Sequence, residues 1–386
     1  MAYDAIVLGS GGVGSAALDH LARRGAHVLG LDRFAPGHDR GSSHGDTRII
    51  RQAYYEHPDY VPLVLRAYEL WAELSERRGV CLGRELGLLQ VGPPEGEVLC
   101  GVLASAAHHG LDVERLDGDE IEARWPGFRA RGALAGVFER RAGYLRVEEC
   151  VKAHAAEAVA HGAELRVGCD VQSWRAEGSG VVVETSQGNF SAGALVVTAG
   201  AWASQMLDDL GIWFEVRRKP VFWFDQASAD YQADRCPCFL FETPSGIFYG
   251  MPKIDDGQVK AAEHTGGAVV DDPAMLDRQM HTADLTPVDQ FLAVHLPKIV
   301  RRPVRHSVCM YTMTRDSHFV VDRHPEHPQV VFAAGLSGHG FKFTSVLGEA
   351  LADLATAGRT TLPIGFLACQ RPGIHKEPDH ARRSRG

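Results

Sequence analysis

"YDAIVLGSGGVGSAALDHLARRGAHVLGLD", residues 3–32, decides the fold. Residues 3–8 are a short apolar run that reads as a buried strand. Residues 15–24 place Ala16, Leu18 and Leu21 at helical spacing. Residues 26–31 form a second strand that ends at Asp32. Between the first strand and the helix lies Gly9-x-Gly11-x-x-Gly14. Gly9 permits the tight turn, Gly11 lets a pyrophosphate approach the backbone, and Gly14 lets the helix pack close to the strand. The helix N-terminus attracts the anion, and Asp32, 18 residues after Gly14, can accept hydrogen bonds from an adenosine ribose. The pattern specifies a Rossmann-type α/β dinucleotide site. It does not choose between NAD and FAD.

Outward from this unit, residues 61–78 read as a strong helix with Leu63, Ala67, Leu70, Trp71 and Leu74 on one face. Residues 85–145 mix short strands with acidic helical segments, 146–161 read as a helix, and 163–199 as several strands. A second strand-to-glycine turn falls at 198–202 and a glycine loop at 335–340, ahead of a helix over about 342–357. The blocks between are rich in strands, among them 306–314, HSVCMYTMT. Nucleotide-binding signals at the beginning, middle and end predict a nucleotide domain built from 1–84, 146–212 and 316–386. A strand-rich substrate domain, 85–145 and 213–315, is interleaved with it. The polar tail from about 373 reads as frayed.

Composition agrees with two domains in 386 residues. The hydrophobic fraction of 45% and charged fraction of 23% fit a soluble globular chain. Formal charge is 40 − 49 = −9, and no run of five basic residues occurs, so nucleic acid and anionic membranes are not expected partners. The N-terminus enters a strand directly, so a signal peptide is not expected, and no segment of about 18 apolar residues stands ready to span a membrane. Eight scattered cysteines predict reduced thiols and a cytoplasmic location. Cys236-Pro-Cys238 lacks a second ligand pair at finger spacing, so no metal site is expected.

Some residues carry chemistry that local pattern alone reads blandly. Cys309, with Tyr311 and Met313 on the same strand face, reads as buried packing. Arg48 and Arg51 share one helix face or one side of a loop, and read as surface cations. Lys260 in an apolar strand reads as an edge or solvent-face residue, with His264 on its parity. Lys342 at a helix start faces the positive end of the dipole and calls for an anion.

Five separated motifs change these readings: GSSHGDTRIIRQAY (41–54), SGIFYGMP (245–252), VKAAEHTGG (259–267), VCMYTMT (308–314) and LSGHGFKFTSVLGE (336–349). Together they resemble the monomeric sarcosine oxidase family of FAD-dependent amine oxidases, in order from the first strand to about residue 350. VRRKPVFWF (216–224) is somewhat nearer to the related N-methyl-L-tryptophan oxidases. The resemblance implies FAD joined to Cys309 by an 8α-S-cysteinyl thioether, with Tyr311, His44, Arg48, Gly338 and His339 about the flavin. It implies that Arg51 and Lys342 clamp a substrate carboxylate, that Tyr249 and His264 contact substrate, and that Lys260 activates dioxygen. The implied reaction is oxidative demethylation of sarcosine or a similar small N-methyl amino acid by a monomer. It gives formaldehyde, the primary amino acid and hydrogen peroxide. The alternative is oxidation of N-methyl-L-tryptophan or a cyclic imino acid. Departures fall at Gln52, where histidine is expected, and at Ala261-Ala262-Glu263. They bear on the substrate side chain. On the glycine motif alone an NAD-dependent dehydrogenase stays open.

Overall fold

The computed structural model describes residues 2–130 and 132–376. The opening stretch folds as strand Tyr3–Leu8, helix Gly12–Arg23 and strand Val28–Leu31. These strands centre a parallel array in the order Glu164–Arg166, Val28–Leu31, Tyr3–Leu8, Gly188–Val197, Val330–Ala334. Val320–Arg323 closes the array as an antiparallel strand, and a hairpin, Val171–Glu177 with Gly180–Thr185, pairs with the first half of Gly188–Val197. Helices Gly12–Arg23, Val147–Ala160, Tyr60–Arg78 and Thr344–Ala357 bury their apolar faces in one cluster on this sheet. The approach is close: a Cβ on Gly348 would lie 2.5 Å from that of Ala16.

The second large sheet runs Ile299–Met313, Glu215–Gln226, Val259–Glu263, Gly246–Met251, Cys238–Thr243, Leu88–Gly92, Ala135–Glu139, Glu114–Asp117. Period-two alternation sorts its side chains. Phe222, Phe224, Phe239, Phe241 and Phe248 cover one face and bury Phe291 of helix Thr282–His295. Trp223, Leu240 and Tyr249 point to the opposite face and form a separate apolar cluster. A small antiparallel sheet of Thr47–Ile50, Gly143–Arg146 and Gly83–Glu85 also forms.

Three local expectations change. Arg48 lies in a strand, Thr47–Ile50, and neither in a helix nor in an irregular loop. Lys342 sits in a 3-10 turn, Phe341–Phe343, that precedes helix Thr344–Ala357. The tail does not fray at its start: Ile374 is buried and its carbonyl accepts from Trp213 N at 2.8 Å, because apolar surface there outweighs the polar sequence around it. The rest of the tail, 377–386, lies outside the described residues. Among the described residues no helix is long and apolar enough to cross a membrane.

Candidate active site

The glycine loop has the geometry its sequence demands. Gly9 has φ +87°, and a Cβ there would meet Thr198 O at 2.6 Å. A Cβ on Gly14 would lie 1.7 Å from Gly9 O, so the helix can only sit this close with glycine. A Cβ on Gly11 would meet no protein atom nearer than Ser43 Oγ at 3.9 Å, leaving its cavity-facing side free for a ligand. Asp32 is buried at the end of its strand and accepts from Ser10 N at 2.7 Å and Phe34 N at 2.8 Å.

One cavity runs from Gly9, Gly11 and Asp32 to Tyr249, His264 and Lys342. Its lining suits FAD: a glycine cradle and a carboxylate at one end, and cations and aromatic rings at the other. His44, just behind the cavity wall formed by Ser42 and Ser43, has its Nε2 buried without a partner among the described residues, which leaves it a hydrogen-bonding capacity for a bound group. Gly338 has φ +83°, and a Cβ there would lie 2.4 Å from the Tyr311 ring, so glycine lets loop and ring meet at the cavity wall.

Behind the cavity wall that Arg48 lines, Arg48 Nη2 lies 3.2 Å from the buried Cys309 Sγ, and His44 Nδ1 lies 3.8 Å from the same sulfur. Burial pushes the Cys309 thiol up, but Arg48 and His44 outweigh it and bring the thiol down to about 6. The strand reading was right about burial: Cys309 is 1% exposed. Lys260 is fully buried, against the edge-strand expectation, and donates to Gly45 O at 2.6 Å and Thr47 O at 2.8 Å. Burial and then Arg48 lower its amine to about 7. Its Nζ lies 5.4 Å from the centre of the Trp223 ring, and the Arg305 guanidinium covers the same ring at 3.8 Å.

The far end holds Arg51 and Lys342, both buried. Arg51 does not stand free: it pairs with Glu56 and packs over Tyr54 and Tyr55 at 4.5 Å each. Burial alone would raise the Glu56 carboxyl, but Arg51, His339 and Lys342 hold it at about 2. Lys342 donates to His339 O at 2.9 Å and to Tyr54 Oη at 3.4 Å. Burial and then Arg51 bring its ammonium down to about 7. Tyr249, His264 and Tyr311 complete this end, with Tyr311 Oη 3.5 Å from His264 Nδ1. Burial keeps His264 neutral, at about 3.

The arrangement brings Arg48, Arg51, Tyr249, His264, Tyr311, Gly338, His339 and Lys342 to one cavity. Cys309, His44 and Lys260 do not line it: Cys309 reaches it through its contact with Arg48, and Lys260 stands behind the Gly45–Thr47 backbone. Sequence reasoning missed Glu56, Tyr54 and Lys219. The buried Lys219 amine donates to Thr265 O at 2.6 Å and so holds the turn that follows His264. The run AYYEH (53–57) carries no periodicity that singles out its acid, so only the neighbouring RQ pair drew notice. Gln52, where histidine was expected, has its backbone N held at 2.6 Å by the buried Glu139.

Asp209, His324 and His327 bring ligand-type atoms within 4.8 Å of one another. His324 Nδ1, however, accepts from Glu326 N and His327 N at 3.2 Å each. Its Nε2 therefore carries the hydrogen donated to Asp209 at 2.8 Å, a structural bond that a cation would have to undo.

Comparisons with known proteins agree with this geometry. The family model described as FAD dependent oxidoreductase matches residues 4–354. A monomeric sarcosine oxidase of Streptomyces avermitilis is 41% identical over 96% of this chain and 97% of its own length. An N-methyl-L-tryptophan oxidase of Yersinia pestis is 39% identical over 96% of this chain and 100% of its own. Among solved structures, the open form of NikD, an amino acid oxidase of nikkomycin biosynthesis, superposes with TM-score 0.85 at 26% identity, over 98% of this chain and 100% of that one. The chain belongs to the FAD dependent oxidoreductase family, alongside the monomeric sarcosine oxidases and N-methyl-L-tryptophan oxidases.

Proposed function

We propose that the protein is an FAD-dependent oxidase of a small N-methyl amino acid such as sarcosine. It yields formaldehyde, the primary amino acid and hydrogen peroxide. The observation that carries this reading is the convergence of Arg51 and Lys342, both buried, on the cavity end walled by Tyr249 and His264. Bound FAD would supply the two-electron acceptor, with dioxygen as the final oxidant. Gly9, Gly11, Gly14 and Asp32 would hold its pyrophosphate and ribose, and His44, Arg48, Tyr311, Gly338 and His339 would lie about its ring.

Arg51 offers a planar fork to the substrate carboxylate, and Lys342 adds a point charge. Arg48, Arg51 and Lys342 together disfavour an ammonium beside them, so they favour the neutral amine that oxidation requires. The neutral His264 adds no charge to that balance and presents a ring nitrogen to the substrate. Tyr249 and Tyr311 exclude water from the reacting carbon.

Cys309 is assigned the covalent link to FAD. Arg48 and His44 stabilise the thiolate that such a bond needs. Lys260 is assigned the dioxygen side, where a fixed cation stabilises developing negative charge. The segments 1–84, 146–212 and 316–386 are assigned to the cofactor domain, and 85–145 with 213–315 to the substrate domain, in a cytoplasmic monomer. Support for a bulkier substrate comes from the near-equal identities of 41% and 39% to the two kinds of relative, which makes N-methyl-L-tryptophan or a cyclic imino acid the second reading.

The test is anaerobic addition of sarcosine, N-methyl-L-tryptophan and L-pipecolate to the yellow protein. Rapid bleaching by sarcosine supports the first reading. Bleaching by another member alone transfers the assignment to it, and no bleaching by any refutes both.

A further inference from the structure

Tyr54 is absent from every motif role above, yet it touches both cations at the substrate end. Its ring is fully buried and carries the Arg51 guanidinium at 4.5 Å and Lys342 Nζ at 5.1 Å from its centre. It does not line the cavity itself. Its hydroxyl lies 2.6 Å from His339 Nδ1 and accepts from Lys342 Nζ at 3.4 Å.

The directions of these bonds are fixed by one carbonyl. Ser317 O can only accept, so His339 Nε2, 2.9 Å away, carries the hydrogen. In a neutral ring Nδ1 is then an acceptor. Burial holds His339 neutral, at about 4. The Tyr54 hydroxyl therefore donates its single hydrogen to His339 Nδ1 at 2.6 Å, a shorter bond than that open to His339 O at 3.2 Å, and its lone pairs are left to Lys342. An ammonium has three donors. Two are held, by Tyr54 Oη and by His339 O, and the third remains for the cavity that Lys342 lines.

We infer that Tyr54 is a positioning residue for carboxylate binding: set as an acceptor by His339, it holds Lys342 so that one N–H faces the substrate. The inference rests on the proposed carboxylate clamp and names a further residue on which that clamp depends.

The experiment uses the holoenzyme and three variants: Tyr54→Phe, Lys342→Met and the double variant. Acetate is the charged probe and acetamide its neutral counterpart, with binding read from the flavin absorbance. Tyr54→Phe keeps the ring against Phe343 and removes only the hydroxyl. It is expected to raise substrate KM and the acetate Kd about tenfold, as for loss of one hydrogen bond to a charged group, with kcat within about twofold. Acetamide affinity stays unchanged. In the Lys342→Met background Tyr54→Phe adds nothing, because the group it acts through is gone. Equal losses for acetate and acetamide, an unchanged acetate Kd, or a full effect without Lys342 would overturn the inference. If Lys342→Met itself leaves acetate binding intact, the carboxylate clamp fails first, and that outcome is distinct from failure of Tyr54 alone.

Discussion

Carboxylate binding to the holoenzyme is expected to take up a proton, and Lys342 is where it goes. Burial, Arg51 and Arg48 bring the free ammonium down to about 7, with Glu56 opposing them. At pH 8 about one lysine in ten is then charged. A carboxylate at about 4 Å contributes roughly 4 kcal/mol at an effective dielectric of about 20, enough to lift this lysine above about 9. Binding acetate at pH 8 should therefore take up about 0.9 proton, and at pH 6, where the lysine is already charged, about 0.1.

Calorimetry in buffers of different ionisation enthalpy measures this directly. Glu56 at about 2, His264 at about 3 and His339 at about 4 lie too low to supply it, and Lys219, at about 8, bonds Thr265 O and Gly266 O and does not line the cavity. Lys260 is also at about 7, but it faces Gly45 O and Thr47 O and not the cavity. Lys342→Met must then abolish the uptake. Uptake near zero at pH 8, or undiminished in that variant, refutes the reasoning. The same linkage predicts that substrate KM rises above pH 7 as free Lys342 loses its charge. Deprotonation of the substrate amine raises kcat over the same range, and a flat rate from pH 6 to 10 would contradict it.

Three further outcomes are expected. Glu56→Gln leaves the buried Arg51 unpaired and should lower unfolding stability by about 3 kcal/mol. Saturating acetate should restore the melting temperature, and an acetate affinity no tighter than wild type would show that Glu56 does not compete for Arg51. Acid precipitation of the native protein should leave the yellow colour in the pellet, whereas Cys309→Ser should release it to the supernatant; colour lost from the native protein removes the covalent assignment. Lys260→Met should slow reoxidation by dioxygen at least 100-fold in stopped flow while reduction by substrate stays within a few-fold. It should also lower the melting temperature, since two buried carbonyls lose their donor.

Legibility in the sequence followed the range of each interaction. Gly9, Gly11, Gly14 and Asp32 are constrained by one turn and one strand end, so their spacing carried the first sheet. The alternation of Phe222 with Trp223, and of Phe239 with Leu240, told which residues share a face, but not which face meets the cofactor cavity. Cys309 and Lys260 show the limit. Each is an ordinary strand residue by pattern, and its chemistry comes from partners more than 200 positions away: Arg48 for the thiol, the Gly45 and Thr47 carbonyls for the amine. Family motifs supplied what local physics did not. They still left Glu56 outside every motif and gave Tyr54, the last residue of 41–54, no role, because neither lies in a repeating pattern and each matters only through Arg51 and Lys342.

The same limit explains how one region keeps so many cations. Arg51, Lys260 and Lys342 are buried and Arg48 is half-buried, and among the described residues Glu56 is the one carboxylate bonded to any of them. Most of the other bonded donors meet backbone carbonyls, while Arg48 also meets Cys309 Sγ, Lys342 also meets Tyr54 Oη, and Arg51 Nε is buried without a partner among the described residues. Arg48 bonds Thr47 O and Ser42 O, Lys260 bonds Gly45 O and Thr47 O, and Lys342 bonds His339 O. A carbonyl satisfies an N–H without cancelling its charge. Pairing each cation with a carboxylate would have been better solvation and a poorer site, since net positive charge would then be absent where an anion must bind. The fold instead lowers the cost of burial with dipoles and leaves the charge uncompensated toward the cavity. Burial, with Arg48 beside Lys260 and Arg51 beside Lys342, still holds both amines near 7, and Lys342, which lines the cavity, is poised to gain a proton when negative charge arrives beside it.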